Sequence, residues 1–226
     1  MKIGIHQPMY LPWLGIFDRI FKCDLFILLD NVPYSKNYYL NRNKIKTAKG
    51  WTWLTIPVLT KGNINKIIKE IEIDNKSSWR KKHWMSIYYA YSTAPYFKDH
   101  SPFFEEFYQR EWIYLAEIST SMIVYLLEAL QITTPIIPAS SMEISGKKDE
   151  LLLNICKELG ADEYLSGPDG RNYLNLELWN KNGIKVQFHD YNHPQYNQLY
   201  GKFQMFMSVI DLIFNNGPES LNILKN

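Results

Sequence analysis

The first thirty residues contain two short apolar runs, separated by a segment whose apolar residues have helical spacing. Lys2–His6 alternates loosely and stops before a proline, which predicts a short buried strand. Apolar residues then recur at helical spacing from Pro12 to about Lys22. Leu25–Leu29 is a continuous apolar run, typical of a strand buried on both faces. Strand, helix and strand in this order predict a βαβ unit.

The rest of the chain predicts further strands, a helical segment and a return to alternating elements. Trp51–Val58 and Ile67–Ile73 have the pattern of strands, and residues 79–130 are helical and aromatic, which indicates a helical insertion or side layer. The remaining predicted elements are strands Ile136–Ala139, Glu163–Leu165 and Ile184–Phe188, and helices Lys148–Leu159 and Tyr173–Asn182. Gly160 is placed to end the first of these helices in the left-handed conformation. We predict one α/β domain over residues 1–226, built on a three-layer, mostly parallel, Rossmann-like sheet.

Composition narrows the class of protein. Hydrophobic residues make up 46%, charged residues 21%, and the net charge is +2, so neither nucleic acid nor acidic membrane is an expected partner. Cys23 and Cys156 stand singly, without metal-ligand spacing. No apolar run is long enough to span a bilayer, and no signal peptide is recognised, so we expect a cytoplasmic protein. Homo-oligomerisation is left open.

Unusual polar residues follow the predicted strands. Ligands of open parallel sheets bind beyond the carboxyl ends of the strands, so these residues are the candidates for a site. They are His6, Gln7 and Tyr10 after the first strand, Asp30, Lys36, Asn41 and Arg42 after the second, and Ser166, Gly167, Asp169, Arg171, Tyr173 and His193 after later strands.

Two of these candidates are assigned catalytic roles. His6 titrates near neutral pH and can move a proton either way, although a structural histidine holding the following turn is the alternative. Asp30 ends a buried strand, where a carboxylate is costly without a partner. Its alternative is a loop cap that accepts hydrogen bonds from backbone N–H groups.

The other candidates are predicted to bind substrate. Arg42 can grip a carboxylate or phosphate in a two-point fork, whereas Lys36 is equally well explained as part of a solvated basic loop. Ser166–Arg171 contains two glycines, so its backbone can approach a ligand closely, and a helix beginning near Tyr173 would direct its positive end at an anion. Many turns share this pattern. No HExxH or GxSxG motif is present, so neither a zinc site nor a serine hydrolase is predicted.

The chain resembles the WbqC-like protein family over nearly its whole length. The resemblance rests on Gly4-Ile5-His6-Gln7-Pro8 with Tyr10, Pro12-Trp13 and Gly15, on Asp24 and Phe26, Leu29-Asp30, Asn41-Arg42-Asn43, Ile45-Lys46, Trp53–Val58, Ser166-Gly167-Pro168, Tyr173-Leu174, His193-Pro194, Tyr196, Ser208, Ile210–Asn215 and Gly217. Pro33 departs from the pattern, which has a glutamine there.

The resemblance implies a role in bacterial O-antigen or other surface-polysaccharide biosynthesis. It implies an acyl or aminoacyl transferase, with glycine as the candidate group, acting on a nucleotide-linked amino sugar that the aromatic-rich insertion would cover. The order of the His6 loop, second strand and Ser166 loop is also similar to nucleotidyltransferases, which use ATP and magnesium. A non-catalytic sugar-binding protein of the assembly machinery is the third hypothesis, supported by the 15% aromatic content.

Overall fold

A parallel sheet with helices on both faces forms the centre of the molecule. The computed structural model describes residues 1–36, 39–59 and 66–225. In chain order the strands and helices are β1 (Lys2–His6), α1 (Leu14–Phe21), β2 (Leu25–Leu28), β3 (Arg42–Thr47), β4 (Gly50–Thr55), α2 (Trp79–Tyr91), α3 (Phe97–Gln109), α4 (Leu115–Ala129), β5 (Ile136–Pro138), α5 (Asp149–Glu158), β6 (Glu163–Ser166), α6 (Leu176–Lys181), β7 (Lys185–Phe188), α7 (Val209–Asn216) and α8 (Ser220–Lys225).

The sheet has five strands in the order β5-β2-β1-β6-β7, and every neighbouring pair is parallel. The predicted Rossmann-like three-layer α/β class is therefore confirmed. The order reverses at β1, because the chain first builds outward through β2 to β5 and then crosses to β6 and β7 on the other side. The carboxyl ends of β1 and β6 are consequently the topological switch point of the sheet.

Side chains alternate between the two faces of the strands and build two cores. Ile3, Ile5, Ile27 and Tyr164 pack with α5 and α6, whereas Phe26, Leu28 and Leu165 pack with α1, α4 and α7. Gly4 faces the second of these cores. A Cβ added at Gly4 would lie 2.6 Å from the Phe26 ring, so β1 needs glycine there to pack against its neighbour.

Two predictions about the segment after β2 were wrong. Arg42, expected in the loop after the second strand, instead begins the strand β3, which forms an antiparallel hairpin with β4 outside the main sheet. Ile67–Ile73 is not a strand, since a 3₁₀ turn occupies Ile68–Glu70 and only isolated bridges flank it. Ile68, Ile71 and Ile73 of this segment are buried, and the backbone N–H groups of Ile68 and Ile73 donate to the carbonyls of Val32 and Ile113.

Two other predictions agree with the structure. Residues 79–130 contain the helices α2, α3 and α4, which pack mainly beside the sheet and contribute aromatic side chains to the core. Gly160 follows α5 with φ +66°, the left-handed conformation expected of it. In the described ranges, no helix is both long and apolar enough to cross a membrane.

Candidate functional site

A cavity of about 440 Å³ opens at the switch point, beyond the carboxyl ends of β1 and β6. This volume lies within the range of small-molecule sites. Its polar and charged lining comes from four segments, namely the loop after β1, helix α1, the loop after β6 and the residue after β7. These lining residues are His6, Gln7, Arg19, Asp169, Tyr173 and His189, joined by Gly167 and by the aromatic Trp13, Tyr39 and Tyr164. The structure thus brings five predicted site residues into one cavity: His6, Gln7, Gly167, Asp169 and Tyr173.

The geometry of His6 defines which ring nitrogen is free. Its Nδ1 lies 2.8 Å from the carbonyl oxygen of Gln7. A carbonyl can only accept, so Nδ1 carries the proton and the neutral ring keeps its lone pair on Nε2. Burial and, to a smaller extent, the positive charge of Arg19 lower the pKa of His6, and the Gln7 hydrogen bond raises it; together they leave it at about 3. His6 is therefore neutral throughout the physiological pH range.

A second histidine lines the cavity with a carboxylate behind it. His189 Nε2 and Asp18 Oδ2 are 2.5 Å apart, and Lys22 Nζ lies 2.6 Å from the same oxygen. The backbone N–H of His189 donates to Ser166 O, which ties β7 to the loop after β6. Burial opposes the charged form of Asp18, but hydrogen bonds from His189 and Lys22 outweigh it and hold the pKa of Asp18 below its usual value. Asp18 thus orients the His189 ring from inside the protein.

Arg19 approaches the loop after β6 from α1. Its side chain is 4% exposed, and a Cβ added at Gly167 would lie 2.6 Å from Nη1. Burial lowers the pKa of Arg19. Glycine at 167 therefore makes room for a guanidinium at the cavity wall.

Both Tyr10 and Asp30 lie away from the cavity. Tyr10 is fully buried, and its hydroxyl bonds to Tyr108 and lies 2.9 Å from His83 Nδ1, so its placement does not support the predicted substrate contact. The Asp30 carboxylate accepts from the backbone N and the Oγ of Ser140, at 2.8 and 2.6 Å. Asp30 thus has the capping role that was its alternative, and the structure does not support its catalytic assignment.

Three residues around the loop after β6 also have structural partners. Ser166 is buried and its Oγ donates to Gly167 O, while Arg171 makes a two-point ion pair with Asp190 on the surface. His193 Nδ1 donates to Pro194 O and its Nε2 accepts from Phe206 N, which leaves neither nitrogen for a ligand. Substrate binding by these three side chains is therefore not supported by their placement.

The predicted start of the anion-binding helix after β6 was also wrong. Pro168–Asn172 is a 3₁₀ turn, and α6 begins only at Leu176. The N-terminus of α6 is capped, because the Asn175 side chain accepts from Leu178 N. Within the turn, the N–H groups of Gly170 and Tyr173 bond to carbonyls of the same segment. These amides are not available as an anion nest.

The basic residues after β2 line a separate, smaller pocket of about 300 Å³. Lys36, Asn41 and Arg42 meet there with Tyr34 and the end of β4. Asn41 Nδ2 donates to Ile56 O, and the Arg42 guanidinium lies 4.6 Å from the centre of the Trp53 ring. These three residues therefore do not share the cavity of His6, which corrects the expectation of a single site.

Helices α2 to α4 lie within the described ranges and supply none of the lining of this cavity. Their placement does not support the expectation that the aromatic-rich segment covers the ligand. Most of its aromatic side chains, including Trp79, Phe104 and Phe107, are buried in the core because helices beside a sheet must bury an apolar face. Aromatic surface at the cavity comes instead from Trp13, Tyr39 and Tyr173.

Asp18 and Arg19 were missed as site residues. A signal for them was present in the sequence, because two adjacent charges interrupt an apolar helix directly after the first strand. In the structure every residue of α1 from Leu14 to Ile20 is buried, and a charge in such a helix needs a partner or a function. Across the described ranges, no group of three or more His, Cys, Asp or Glu side chains is placed to hold a metal ion.

Comparisons with known proteins cover almost the whole chain. The model of the WbqC-like protein family matches residues 7–223. The uncharacterized protein Rv1507c of Mycobacterium tuberculosis is 34% identical over 226 residues, which is 99% of this chain and 97% of that protein. No solved structure matches the chain.

Proposed function

The chain belongs to the WbqC-like protein family, and from this premise we propose that it transfers an acyl or aminoacyl group, with glycine as the candidate, to the amine of a sugar. The observation that carries the proposal is His6, a neutral imidazole at the wall of the switch-point cavity whose Nε2 has no hydrogen-bond partner in the described part of the chain. The lone pair of a neutral imidazole can accept the proton that an attacking amine must lose. A bound anion that offsets the charge of Arg19 would raise the low pKa of His6 toward the range in which such a base is effective.

The proposed step is acyl transfer with His6 as general base. The sugar amine attacks the carbonyl carbon of an activated donor, a C–N bond forms, and the bond to the leaving group breaks. Nε2 of His6 takes the proton from the amine nitrogen and returns it to the departing group. The hydrogen bond from Nδ1 to Gln7 O keeps the ring in the tautomer that this step needs. The donor must be activated beforehand, either by ATP with magnesium or as a preformed acyl compound.

The lining of the cavity supports a sugar-like substrate. Trp13, Tyr39 and Tyr173 offer aromatic faces, on which the apolar face of a sugar ring stacks. Gln7 and Asp169 add groups that bind hydroxyls or an ammonium. A nucleotide-linked amino sugar of bacterial O-antigen or surface-polysaccharide biosynthesis combines these features, and we propose this substrate class.

The test is a transfer assay with nucleotide-linked amino sugars, glycine, ATP and magnesium, followed by mass spectrometry of the sugar. We expect an acylated product, and a roughly 100- to 10,000-fold lower kcat in His6→Gln, the usual range for loss of a general base. His100→Gln is the matched control, because His100 lies in α3 and contacts Tyr125. Transfer by His6→Gln at the wild-type rate would show that His6 is not the base.

A second candidate is an ATP-using nucleotidyltransferase, and the observation in its favour is the guanidinium of Arg19 beside His6. Such a group stabilises negative charge on a transferring phosphate. Calorimetric titration with ATP and magnesium, with pyrophosphate release measured on adding glycine, distinguishes it from transfer out of a preformed donor. Saccharide binding that persists in His6→Gln, without turnover of any donor, would indicate the sugar-binding hypothesis instead.

A further inference from the structure

Arg19 differs from the other buried charged side chains, because two of its three guanidinium nitrogens have no hydrogen-bond partner among the described residues. Asp18, Asp30, Lys46 and Asp211 are buried and each has at least one hydrogen bond to another group within the described residues. Nε and Nη2 of Arg19 are buried and have no hydrogen-bond partner there. Burying a charge without a counter-charge is costly, so this residue calls for an explanation.

The surroundings of Arg19 do not compensate its charge. The groups that act most on its pKa, apart from burial, are Tyr164, Cys23 and Tyr173. Burial raises the pKa of each of these three side chains, so all are neutral at pH 7. The Phe26 ring lies 5.5 Å from the guanidinium carbon, but a ring face accepts no N–H hydrogen bond comparable to that of an oxygen. A buried water could accept an N–H bond, yet it would leave the positive charge uncompensated.

The position of Arg19 points to what does compensate it. The side chain lines the cavity together with His6 and Gly167. Nε and Nη2 lie below the cavity surface, and Nη1 is the guanidinium nitrogen nearest Gly167, so an anionic group beside Gly167 would face Nη1. Glycine at 167 keeps this approach open, since the nearest atom to a Cβ there would be Nη1 of Arg19. Arginine binds carboxylate and phosphate oxygens more specifically than lysine, because its donors are arranged in a planar fork.

We propose that Arg19 is the anion-binding residue of this cavity, and that it holds a phosphate or carboxylate group of the substrate at the switch point of the sheet. This goes beyond the proposed acyl transfer and assumes only that the cavity binds the substrate. It also moves the anion site away from Lys36 and Arg42, whose pocket is separate.

The test is calorimetric titration of the full chain with sodium diphosphate and, separately, with sodium acetate. We expect saturable binding of at least one of them to the wild type, and an affinity about 10- to 100-fold lower in Arg19→Met, as for loss of charge-assisted hydrogen bonds. The control is Arg171→Met, which removes a surface arginine already paired with Asp190 and should leave the affinity unchanged. Diphosphate binding identifies a phosphate site, and acetate binding alone identifies a carboxylate site.

Thermal unfolding separates this role from a structural one. Replacing an uncompensated buried charge by an apolar side chain of similar length should leave the Tm unchanged or raise it, whereas an arginine needed for folding would lower it. If Arg19→Met does not fold, Gly167→Ala serves as the second variant, because its methyl group displaces the flexible guanidinium and should weaken binding at least several-fold.

Equal affinity of the wild type and the folded Arg19 or Gly167 variant, or no saturable binding of either anion to the wild type, would overturn the proposal. The outcome is independent of the proposed reaction. If the wild type transfers acyl groups but binds neither anion, the Arg19 assignment is wrong. If it binds an anion through Arg19 but transfers no acyl group, the proposed reaction is wrong.

Discussion

The low pKa of His6 predicts a measurable loss of stability at mildly acidic pH. Burial, together with a smaller contribution from the positive charge of Arg19, lowers this pKa to about 3. An unfolded histidine has a pKa of about 6.5. Between these two values the unfolded state binds a proton that the folded state does not. The contribution of His6 to stability is therefore fully present above pH 6.5 and is lost as the pH falls toward 3.

The size of the effect at a practical pH follows from the same two values. At pH 5 the proton bound by the unfolded histidine favours unfolding by about 2 kcal/mol, and at pH 7 by only about 0.2 kcal/mol. The figure for pH 5 is an upper limit, because the His6 ring borders a cavity that solvent can enter. Other histidines are present in both the wild type and a His6 variant, so their contributions cancel in the comparison.

The measurement is urea unfolding of the wild type and His6→Gln at pH 7 and pH 5. We expect the wild type to lose up to about 2 kcal/mol more than the variant between these pH values. In parallel, the ring resonances of His6 in NMR spectra should not titrate between pH 8 and pH 5. An identical pH dependence of the two proteins, together with a His6 titration near pH 6.5, would refute the account of the buried neutral imidazole.

Two further predictions test Asp30 and Tyr10, which the sequence suggested as site residues but which do not line the cavity. Asp30→Ala should lower the free energy of unfolding by about 1–3 kcal/mol, because the backbone N–H and hydroxyl of Ser140 lose their charged acceptor; urea unfolding measures this, and unchanged stability would contradict the capping role. Tyr10→Phe should cost about 1–3 kcal/mol, since Tyr108 and His83 lose a buried partner. The affinity of this variant for diphosphate, measured by calorimetry, should equal that of the wild type. A large loss of affinity would indicate that Tyr10 does contribute to the site.

Parts of the site followed from the sequence because the sheet is parallel. Residues just after β1 and β6 must lie at the same edge when both strands run in one direction, which is why His6 and Gly167 meet in one cavity. The same rule placed Asp30 near that edge but could not predict its partner. Ser140 follows β5, 110 positions along the chain, and only the pairing of β5 with β2 brings it to Asp30.

The sequence by itself determined the periodic elements of this protein. The bounds of β1 and the ends of α5 follow from local alternation, helical spacing and a glycine in the left-handed conformation, all of which are properties of neighbouring residues. The tertiary structure alone decided the hairpin of β3 and β4, the pairing of Asp18 with His189 and the isolation of Arg19. These three features depend on contacts between segments that are far apart in the chain. The energy of a buried charge or hydrogen bond depends on the groups packed around it, and local sequence patterns do not show which groups those are.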